Sequence, residues 1–200
     1  MIKTVIFDIG NVLTEFCWSK YFEVFGYSEE ILKRLAKATV LSEDWKEYDL
    51  GNLGDEEVLD LFIANDPSIE KELRASLRNV DGILEQCDYT IPWIEELKAK
   101  GYQVLYLSNF SEKVLRDCAR IMGFLSHMDG GILSCRVHFV KPDPAIYKLL
   151  LQKYGLLAEE CVFLDDTAEN IKAAEALGIH GIVFENQAQA RKELEKLGVG

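Results

Sequence analysis

The chain has 200 residues, of which 48% are hydrophobic and 28% are charged, and its formal net charge is −12. This composition is typical of an ordinary soluble globular protein, with room for one large domain or one domain carrying an insertion. Because the chain is acidic and has no cluster of Lys and Arg residues, the composition argues against nucleic acid and anionic membranes as partners. An acidic protein that handles an anionic substrate would need a local positive charge, from a metal ion or from a well-placed lysine.

The five cysteines are odd in number and widely spaced, and no two of them form a C-x-x-C pattern. This arrangement argues against a disulfide framework or a zinc cluster, and it predicts a reducing, cytoplasmic environment. We expect no signal peptide, because the N-terminal residues run straight into a strand pattern. We also expect no membrane span, because no apolar run approaches about 18 residues.

Five short apolar runs predict buried β-strands, at residues 4–7, 103–107, 131–133, 162–164 and 181–183. Their apolar residues are continuous rather than alternating, which is typical of strands buried on both faces of a parallel sheet. Helical patterns accompany the last four strands, at residues 90–100, 111–122, 145–154 and 167–177. This alternation predicts an α/β fold with a doubly wound, three-layer parallel sheet.

Residues 15–88 have a different pattern, which predicts consecutive helices at 18–25, 28–37, 42–49, 55–63 and 68–77 with no convincing strand between them. We therefore predict a core domain formed by residues 1–14 and 89–200, with a helical cap domain inserted at 15–88. An insertion at the C-terminal end of a strand lies over the position where such folds bind ligands, which makes the cap a candidate lid. The alternative is a separate helical domain with no role at the site.

The most informative motif is the segment around Asp8. The apolar run at residues 5–7 ends at this single acid, and the turn residues Gly10 and Asn11 follow. Open α/β sheets place reactive groups at the C-terminal ends of buried strands. A carboxylate there serves as a nucleophile or as a metal ligand, whereas the alternative is an aspartate that only caps a loop.

Two later segments carry groups that can bind an anion. Ser108 and Asn109 end the second predicted strand just before a helix, where a hydroxyl and an amide can hydrogen-bond an oxyanion. Lys141 precedes a proline-flanked helix start at residues 142–144, where its charge can neutralise a phosphate or a nearby carboxylate. Taken singly, the two segments have simpler interpretations, a helix-capping turn and a solvated surface lysine.

The fourth segment ends a strand with two adjacent acids, Asp165 and Asp166, and Asn170 follows one helical turn later. Neighbouring residues of a strand point in opposite directions, so the two carboxylates are expected to have different roles. Together with Asp8 they would converge at one edge of the sheet, where unpaired carboxylates raise one another's pKa. A divalent cation together with Lys141 removes that repulsion, and Mg²⁺ prefers oxygen ligands of this kind.

In this order and at these strand ends, the motifs resemble those of the haloacid dehalogenase superfamily of phosphatases, over nearly the full length of the chain. The matching segments are residues 8–13, Ser108-Asn109, Lys141-Pro142, and Asp165-Asp166 with Asn170. The inserted helices resemble the small helical cap of the superfamily's first cap class. Within it, Trp45, Tyr48 and Gly51 resemble a segment of bacterial sugar-phosphate phosphatases, especially the α-D-glucose-1-phosphate phosphatase type.

The resemblance implies covalent phosphoryl transfer assisted by a metal ion. Asp8 would attack the phosphorus atom and form an aspartyl-phosphate. Mg²⁺ would be held by Asp8, by the backbone carbonyl of Gly10 and by Asp166. Phosphoryl transfer depends on positioning and charge neutralisation more than on covalent chemistry, and a metal ion together with a lysine supplies both.

The remaining motif residues would bind the phosphate and support the site. The resemblance implies that Ser108 and the amide of Asn109 bind phosphate oxygens. Lys141 would steady the nucleophile and the transferring phosphoryl group. Asp165 would support the site from behind, as a partner for Lys141, and Asn170 would support the metal site.

Gly10 departs from the superfamily pattern. Most of the phosphatases carry an aspartate at this position, two residues after the nucleophile, and it protonates the leaving group. Such a general acid contributes about 10²–10⁴-fold in rate. Three interpretations stay open: another acid, such as one from the cap, substitutes; the substrate has a good leaving group; or catalysis is slow or absent. The sugar-phosphatase subgroup also resembles this chain in having glycine here, which favours an enzyme.

The leading hypothesis is a Mg²⁺-dependent phosphatase of a small phosphorylated metabolite, with a sugar phosphate favoured, acting as a monomer or homodimer. Hydrolysis of a 2-haloacid is the first alternative, but the acidic pair Asp165-Asp166 argues against it. Phosphomutase activity is disfavoured because Gly10 replaces the acid that mutases of the family need. A non-catalytic module that binds phosphate or a partner is the alternative from another class, and only Gly10 favours it.

Overall fold

The computed structural model describes all 200 residues and contains seven strands and ten α-helices. The strands are β1 (Thr4–Phe7), β2 (Thr14–Phe16), β3 (Leu84–Gln86), β4 (Gln103–Ser108), β5 (Gly130–Leu133), β6 (Cys161–Asp165) and β7 (His180–Val183). The helices are α1 (Trp18–Glu23), α2 (Glu29–Ala38), α3 (Trp45–Leu50), α4 (Asp55–Asn65), α5 (Glu70–Leu77), α6 (Thr90–Ala99), α7 (Glu112–Asp117), α8 (Pro144–Tyr154), α9 (Ala168–Glu175) and α10 (Gln187–Lys196). None of the helices is both long and apolar enough to span a membrane.

The central sheet has five parallel strands in the order β5-β4-β1-β6-β7. Strand β1 lies in the middle, where Phe7 is paired with Tyr106 on one side and with Leu164 on the other. The chain therefore moves outward from β1 in both directions, which is the doubly wound topology that the sequence predicts. Each of the five strands lies within one residue of its predicted bounds.

Helices cover both faces of the sheet and create two hydrophobic cores. Ile6 of β1 faces the core formed with α8 and α9, which contribute Tyr147 and Ile171. Phe7, the next residue, faces the opposite core, where Trp93 of α6 packs against its ring with centroids 4.9 Å apart. Because successive strand residues point to opposite faces, both cores are filled from the same short strands. The three-layer α/β prediction is confirmed.

The helices α1 to α5 lie between β2 and β3, which form an antiparallel ribbon that the sequence patterns did not predict. The two strands have three residues each, and Glu15 lies opposite Glu85, so neither strand has an apolar pattern to reveal it. The helical block shares the core of the sheet, because its buried Phe22 and Phe62 belong to the same apolar cluster as Phe7. The division at 15–88 stays a prediction; its first limit falls within β2 and its last limit two residues after β3.

Three further local differences have identifiable causes. The helix predicted over 111–122 ends at Asp117, where the Cys118 thiol turns inward to the carbonyl of Val80, and a 3-10 turn follows at Ile121–His127. Another 3-10 turn, Pro67–Ile69, precedes α5, because proline suits the start of a helix. Helix α10 was not predicted; its polar sequence hides a short apolar face, and Asn186 caps it by accepting a hydrogen bond from Gln189.

The C-terminal end of α3 docks on the segment that follows β5. The Ser134 hydroxyl donates to the carbonyl of Asp49 over 2.6 Å, and His138 Nδ1 lies 2.9 Å from the carbonyl of Leu50. Gly51 ends the helix at a φ of 65° and lies against the backbone of Cys135, so that a Cβ there would be 2.9 Å from its Cα. The inserted helices are therefore held against the core at this end of α3.

Replacement of Gly51 by alanine should lower the stability of the protein for two reasons, the positive φ and the close contact with Cys135. A control glycine with a positive φ but no close contact separates the two effects. Gly26 is the matched control, because it has a φ of 69° and a Cβ at that position would meet no atom within 4 Å. We expect Gly26→Ala to lower the free energy of unfolding by about 1–2 kcal/mol, the cost of a left-handed residue. Gly51→Ala adds overpacking of about 1–3 kcal/mol. Urea unfolding measures both, and equal losses would contradict the tight contact at Gly51.

Candidate active site

Three neighbouring strands place polar side chains at one edge of the sheet. Asp8 directly follows β1, Ser108 is the last residue of β4, and Asp165 is the last residue of β6. The strands are parallel and adjacent, so their C-terminal ends lie side by side. All three side chains are buried. The structure thus brings these predicted residues together.

Lys141 joins the two buried carboxylates. Its Nζ lies 2.9 Å from Asp8 Oδ1 and 2.6 Å from Asp165 Oδ2, and the lysine side chain is 1% exposed. Burial disfavours the ammonium charge, but Asp8 and Asp165 more than offset this effect and raise the pKa of Lys141. The lysine is therefore a fixed positive charge in an acidic protein.

Asp165 is engaged by several donors besides Lys141. Its Oδ1 accepts hydrogen bonds from the backbone N–H of Thr167 at 2.8 Å and from Asn170 Nδ2 at 3.1 Å. Asn170 Nδ2 also lies 3.0 Å from the second oxygen, Oδ2. This carboxylate is fully buried and held from several directions, so its geometry suits it to orient Lys141.

The side chain of Asn109 holds the backbone of Lys141, a contact that the sequence motifs did not predict. Asn109 Nδ2 donates to the carbonyl of Lys141 over 3.0 Å, and Asn109 Oδ1 accepts from its N–H over 2.7 Å. This reciprocal pair joins the loop after β4 to the loop before α8. These two bonds use the Asn109 side-chain oxygen and one N–H of Nδ2, so the second Nδ2 N–H and the backbone N–H are left to meet an anion.

The Asp8 carboxylate is held mainly through one oxygen, Oδ1, and a hydrogen bond from the Ser108 hydroxyl also acts to lower its pKa. Oδ1 accepts from the backbone N–H of Ile9 at 2.8 Å and pairs with Lys141, whereas neither contact involves Oδ2. Burial raises the pKa of Asp8 to about 6, although Lys141 opposes the rise. A carboxylate that is desolvated yet ionisable near neutral pH is suited to act as a nucleophile.

The acids at this edge fit a divalent cation. Oxygens of Asp8, Asp165 and Asp166 all lie within 4.8 Å of one another. Asp166 is exposed, and Asn11 Nδ2 donates to its Oδ2 over 3.0 Å from a turn with a φ of 56°. Oxygen ligands without nitrogen or sulfur are the set that Mg²⁺ prefers. Because Asp165 is occupied by Lys141, the carboxylates available to a metal ion are those of Asp8 and Asp166.

A cavity of about 210 Å³ opens over these groups, between the sheet edge and the inserted helices. Asp8, Gly10, Asn109 and Asp166 line its polar side. Its apolar side includes Phe16 and Trp45, whose ring centroids are 5.9 Å apart. The cavity is small compared with the roughly 300–1,000 Å³ of sites for drug-sized ligands.

The structure adds two facts about this cavity that the sequence motifs did not predict, one about Asp49 and one about the space beside Gly10. Asp49, near the end of α3, faces the same cavity as Asp8. A Cβ built on Gly10 would meet no atom within 4 Å, so the space beside that residue is open. No local sequence signal distinguishes Asp49, because acidic residues are frequent throughout the helical block and only tertiary contacts bring this one to the site.

Residues 2–178 match the haloacid dehalogenase-like hydrolase family. The chain is 30% identical to acyl-CoA dehydrogenase family member 10 of Mus musculus over 98% of its own length, but it spans only 19% of that protein. It is 26% identical to a sesquiterpene phosphatase of Aspergillus oryzae, covering 98% of this chain and 96% of that protein.

The fold also resembles that of solved structures. An HAD-family enzyme of Bacteroides thetaiotaomicron, crystallised with magnesium and inorganic phosphate, superposes with a TM-score of 0.71 at 21% identity. The superposition covers 95% of this chain and 99% of that one. Given the family match over residues 2–178, the chain belongs to the haloacid dehalogenase-like hydrolase family.

Proposed function

We propose that this protein is a Mg²⁺-dependent phosphomonoester hydrolase that forms an aspartyl-phosphate on Asp8. The observation that carries this proposal is the position of Asp8, with Oδ1 held by Lys141 and Ile9 and the cavity in front of it. A phosphoryl group carries negative charge that Lys141 can neutralise at close range. The similarity to a phosphatase over nearly the whole chain supports the same reaction class.

In the proposed first step, Asp8 Oδ2 attacks the phosphorus atom while the bond from phosphorus to the ester oxygen breaks. The alcohol leaves, and the phosphoryl group stays on Asp8. In the second step, water attacks this acyl phosphate, inorganic phosphate leaves and the Asp8 carboxylate is restored. Two moderate barriers thereby replace one high barrier, which is the general advantage of a covalent intermediate.

Ser108, Asn109 and Lys141 are proposed to bind and orient the phosphoryl group. Ser108 is 1% exposed at the end of β4, and the backbone N–H of Asn109 follows it at the start of the loop. Lys141 supplies a fixed charge that needs no rearrangement during the reaction, which is the basis of electrostatic catalysis. Asp165 and Asn170 keep that charge in position through the bonds described above.

We propose that Asp8, the backbone carbonyl of Gly10 and Asp166 hold Mg²⁺, with Asn11 orienting Asp166. Bound there, the ion would offset phosphate charge close to Asp8. The magnesium and phosphate in the Bacteroides enzyme of the same fold support this assignment. The exposed Asp166 beside Asp8 disfavours 2-haloacid hydrolysis, because a carbon electrophile needs no metal ligand at that position.

A small phosphorylated metabolite is the proposed substrate class, with a sugar phosphate favoured. The cavity of about 210 Å³ suits a small molecule. Its apolar wall at Phe16 and Trp45 can pack against the C–H face of a sugar ring, while its polar floor meets the phosphate. The resemblance of Trp45, Tyr48 and Gly51 to glucose-1-phosphate phosphatases favours the same class and stays a prediction.

Removal of the metal should abolish the reaction and its return should restore it. We expect the protein to release phosphate from one or more members of a sugar-phosphate panel and from para-nitrophenyl phosphate in the presence of Mg²⁺. Chelation with EDTA should lower the rate at least about 10³-fold, as expected for the loss of the main charge-neutralising group. Undiminished turnover in EDTA, or no turnover with Mg²⁺ on any substrate, would contradict the proposed function.

A further inference from the structure

One carboxylate in the cavity has no role in the reaction proposed above. Asp49 faces the same cavity as Asp8, but its side chain makes no hydrogen bond or ion pair; the Ser134 hydroxyl bonds its backbone carbonyl. Burial raises the pKa of Asp49 to about 7, with Lys141 opposing the rise and Asp8 adding to it. An unpaired carboxyl group in such surroundings holds its proton close to neutral pH.

Cleavage of an alkyl phosphate leaves an alkoxide, which needs a proton as it departs. The other acids near Asp8 are poorly placed to give one. Asp165 is fully buried and bound by Lys141 and Asn170, and Asp166 is exposed and bound by Asn11. Lys141 is itself held between two carboxylates.

Position 10, on the Asp8 loop, is a glycine and has no acidic side chain. Asp49 is the acid in the cavity that remains available.

We propose, building on the proposed phosphatase function, that Asp49 is the general acid of the reaction. As the bond from phosphorus to the ester oxygen breaks, the electron pair of that bond goes to the oxygen, which takes the Asp49 proton. The products are a neutral alcohol, the aspartyl-phosphate and the Asp49 carboxylate. The attacking water then returns a proton to Asp49 as inorganic phosphate leaves, so the enzyme ends each cycle as it began.

The fold holds Asp49 in a defined position for this role. The Ser134 hydroxyl that donates to the Asp49 carbonyl also accepts a hydrogen bond from the N–H of Phe110 over 2.9 Å. Ser134 therefore links the end of α3 to the loop that begins at Ser108-Asn109. Gly51 packs directly against the backbone of Cys135 and so holds the same helix end close to the core. A larger residue at position 51 would push the two segments apart. A general acid requires such placement, because proton transfer acts only over hydrogen-bond distance.

The test compares two substrates that differ in their need for a proton. The variant is Asp49→Asn, which keeps the shape of the side chain but has no acidic proton. The substrates are the sugar phosphate that wild type hydrolyses fastest, with an alkoxide leaving group, and para-nitrophenyl phosphate, with a stable nitrophenolate. The readout is kcat/KM, which includes the steps up to departure of the leaving group. The matched control, Glu43→Gln, removes an acid whose side chain is 97% exposed elsewhere in the inserted block.

We expect Asp49→Asn to lower kcat/KM for the sugar phosphate about 10²–10⁴-fold, the usual contribution of a general acid, and to leave the aryl phosphate nearly unchanged. The ratio of the two kcat/KM values does not depend on the fraction of folded protein, so partial unfolding cannot imitate this result. Glu43→Gln should leave the ratio unchanged.

A ratio altered by less than about 10-fold, with both substrates affected alike or neither, would overturn the role of Asp49 while leaving the phosphatase function intact. A shift in KM alone, equal for both substrates, would likewise make Asp49 a binding residue and refute the proposal. If wild type hydrolyses no phosphate ester at all, the proposed function itself fails, and the assignment of Asp49 fails with it. The two failures are therefore distinguishable.

Discussion

Replacing Asp8 by asparagine is expected to lower kcat for phosphate release by at least about 10⁴-fold, as the loss of a covalent nucleophile does in other enzymes. The amide of asparagine has nearly the same shape as the carboxylate, but it cannot form the acyl phosphate. Steady-state phosphate release with Mg²⁺ measures the effect. The control Asp60→Asn, at a carboxylate that is 72% exposed on α4, should keep wild-type activity. A loss of less than about 10-fold in Asp8→Asn would rule out Asp8 as the nucleophile.

The same variant should remain folded, and its stability tests the electrostatics of the site. Burial raises the pKa of Asp8 from 3.8 to about 6 in the metal-free protein. A carboxyl group with a raised pKa in the folded state favours folding at low pH, and this contribution is lost as pH rises from about 4 to about 6. At pH 7 in EDTA, we therefore expect the free energy of urea unfolding of Asp8→Asn to equal or exceed that of wild type. A markedly less stable variant would contradict the raised pKa.

Replacing Lys141 by methionine should reduce both activity and stability. Its Nζ contacts Asp8 and Asp165 at 2.9 and 2.6 Å, and methionine leaves both carboxylates buried without a counter-charge. Breaking a buried ion pair by removing one partner costs about 3–5 kcal/mol. We expect a loss of that size in the free energy of urea unfolding without metal. The kcat should fall at least about 10²–10³-fold, as expected when one preorganised electrostatic group is removed.

Lys33→Met is the matched control for this prediction. Lys33 also pairs with a carboxylate, Glu29 at 2.6 Å, but both side chains are more than two-thirds exposed on α2, at 74% and 82%. An exposed pair of this type contributes about 0–1 kcal/mol, so the control should lose no more than that and should keep full activity. If Lys141→Met lost no more stability than Lys33→Met, the buried ion pairs of Lys141 with Asp8 and Asp165 would not stabilise the site as described.

The polar residues at the strand ends could be predicted from sequence because the C-terminal ends of adjacent parallel strands meet at one edge of the sheet. Asp8, Ser108 and Asp165 each end an apolar run, and runs of this kind become adjacent strands whose ends meet at one edge of the sheet. The fold class follows from the same runs. Lys141 lies in a loop, so its position beside Asp8 was expected from the superfamily resemblance rather than from any local pattern.

The features that the sequence did not reveal depend on partners far away along the chain. The Asn109 side chain binds the backbone of Lys141, 32 positions later. All residues other than proline have the same backbone groups, so the sequence pattern does not identify this partner. Asp49 reaches the cavity because Ser134, 85 residues later, holds the end of α3. The ribbon of β2 and β3 has three residues in each strand, too few for a periodic pattern, and a helical block separates the strands. Tertiary contacts decide each of these features, and composition does not encode them.

Detection of a phosphoryl group on Asp8 tests the central claim most directly. Wild type would be mixed with Mg²⁺ and its fastest substrate, quenched in acid within one turnover, digested and analysed by peptide mass spectrometry. We predict a phosphoryl adduct in the N-terminal peptide, localised to Asp8, which appears before free phosphate accumulates and is absent from Asp8→Asn. Phosphate release at full rate with no adduct at any quench time, or with the adduct on another residue, would contradict the proposed role of Asp8.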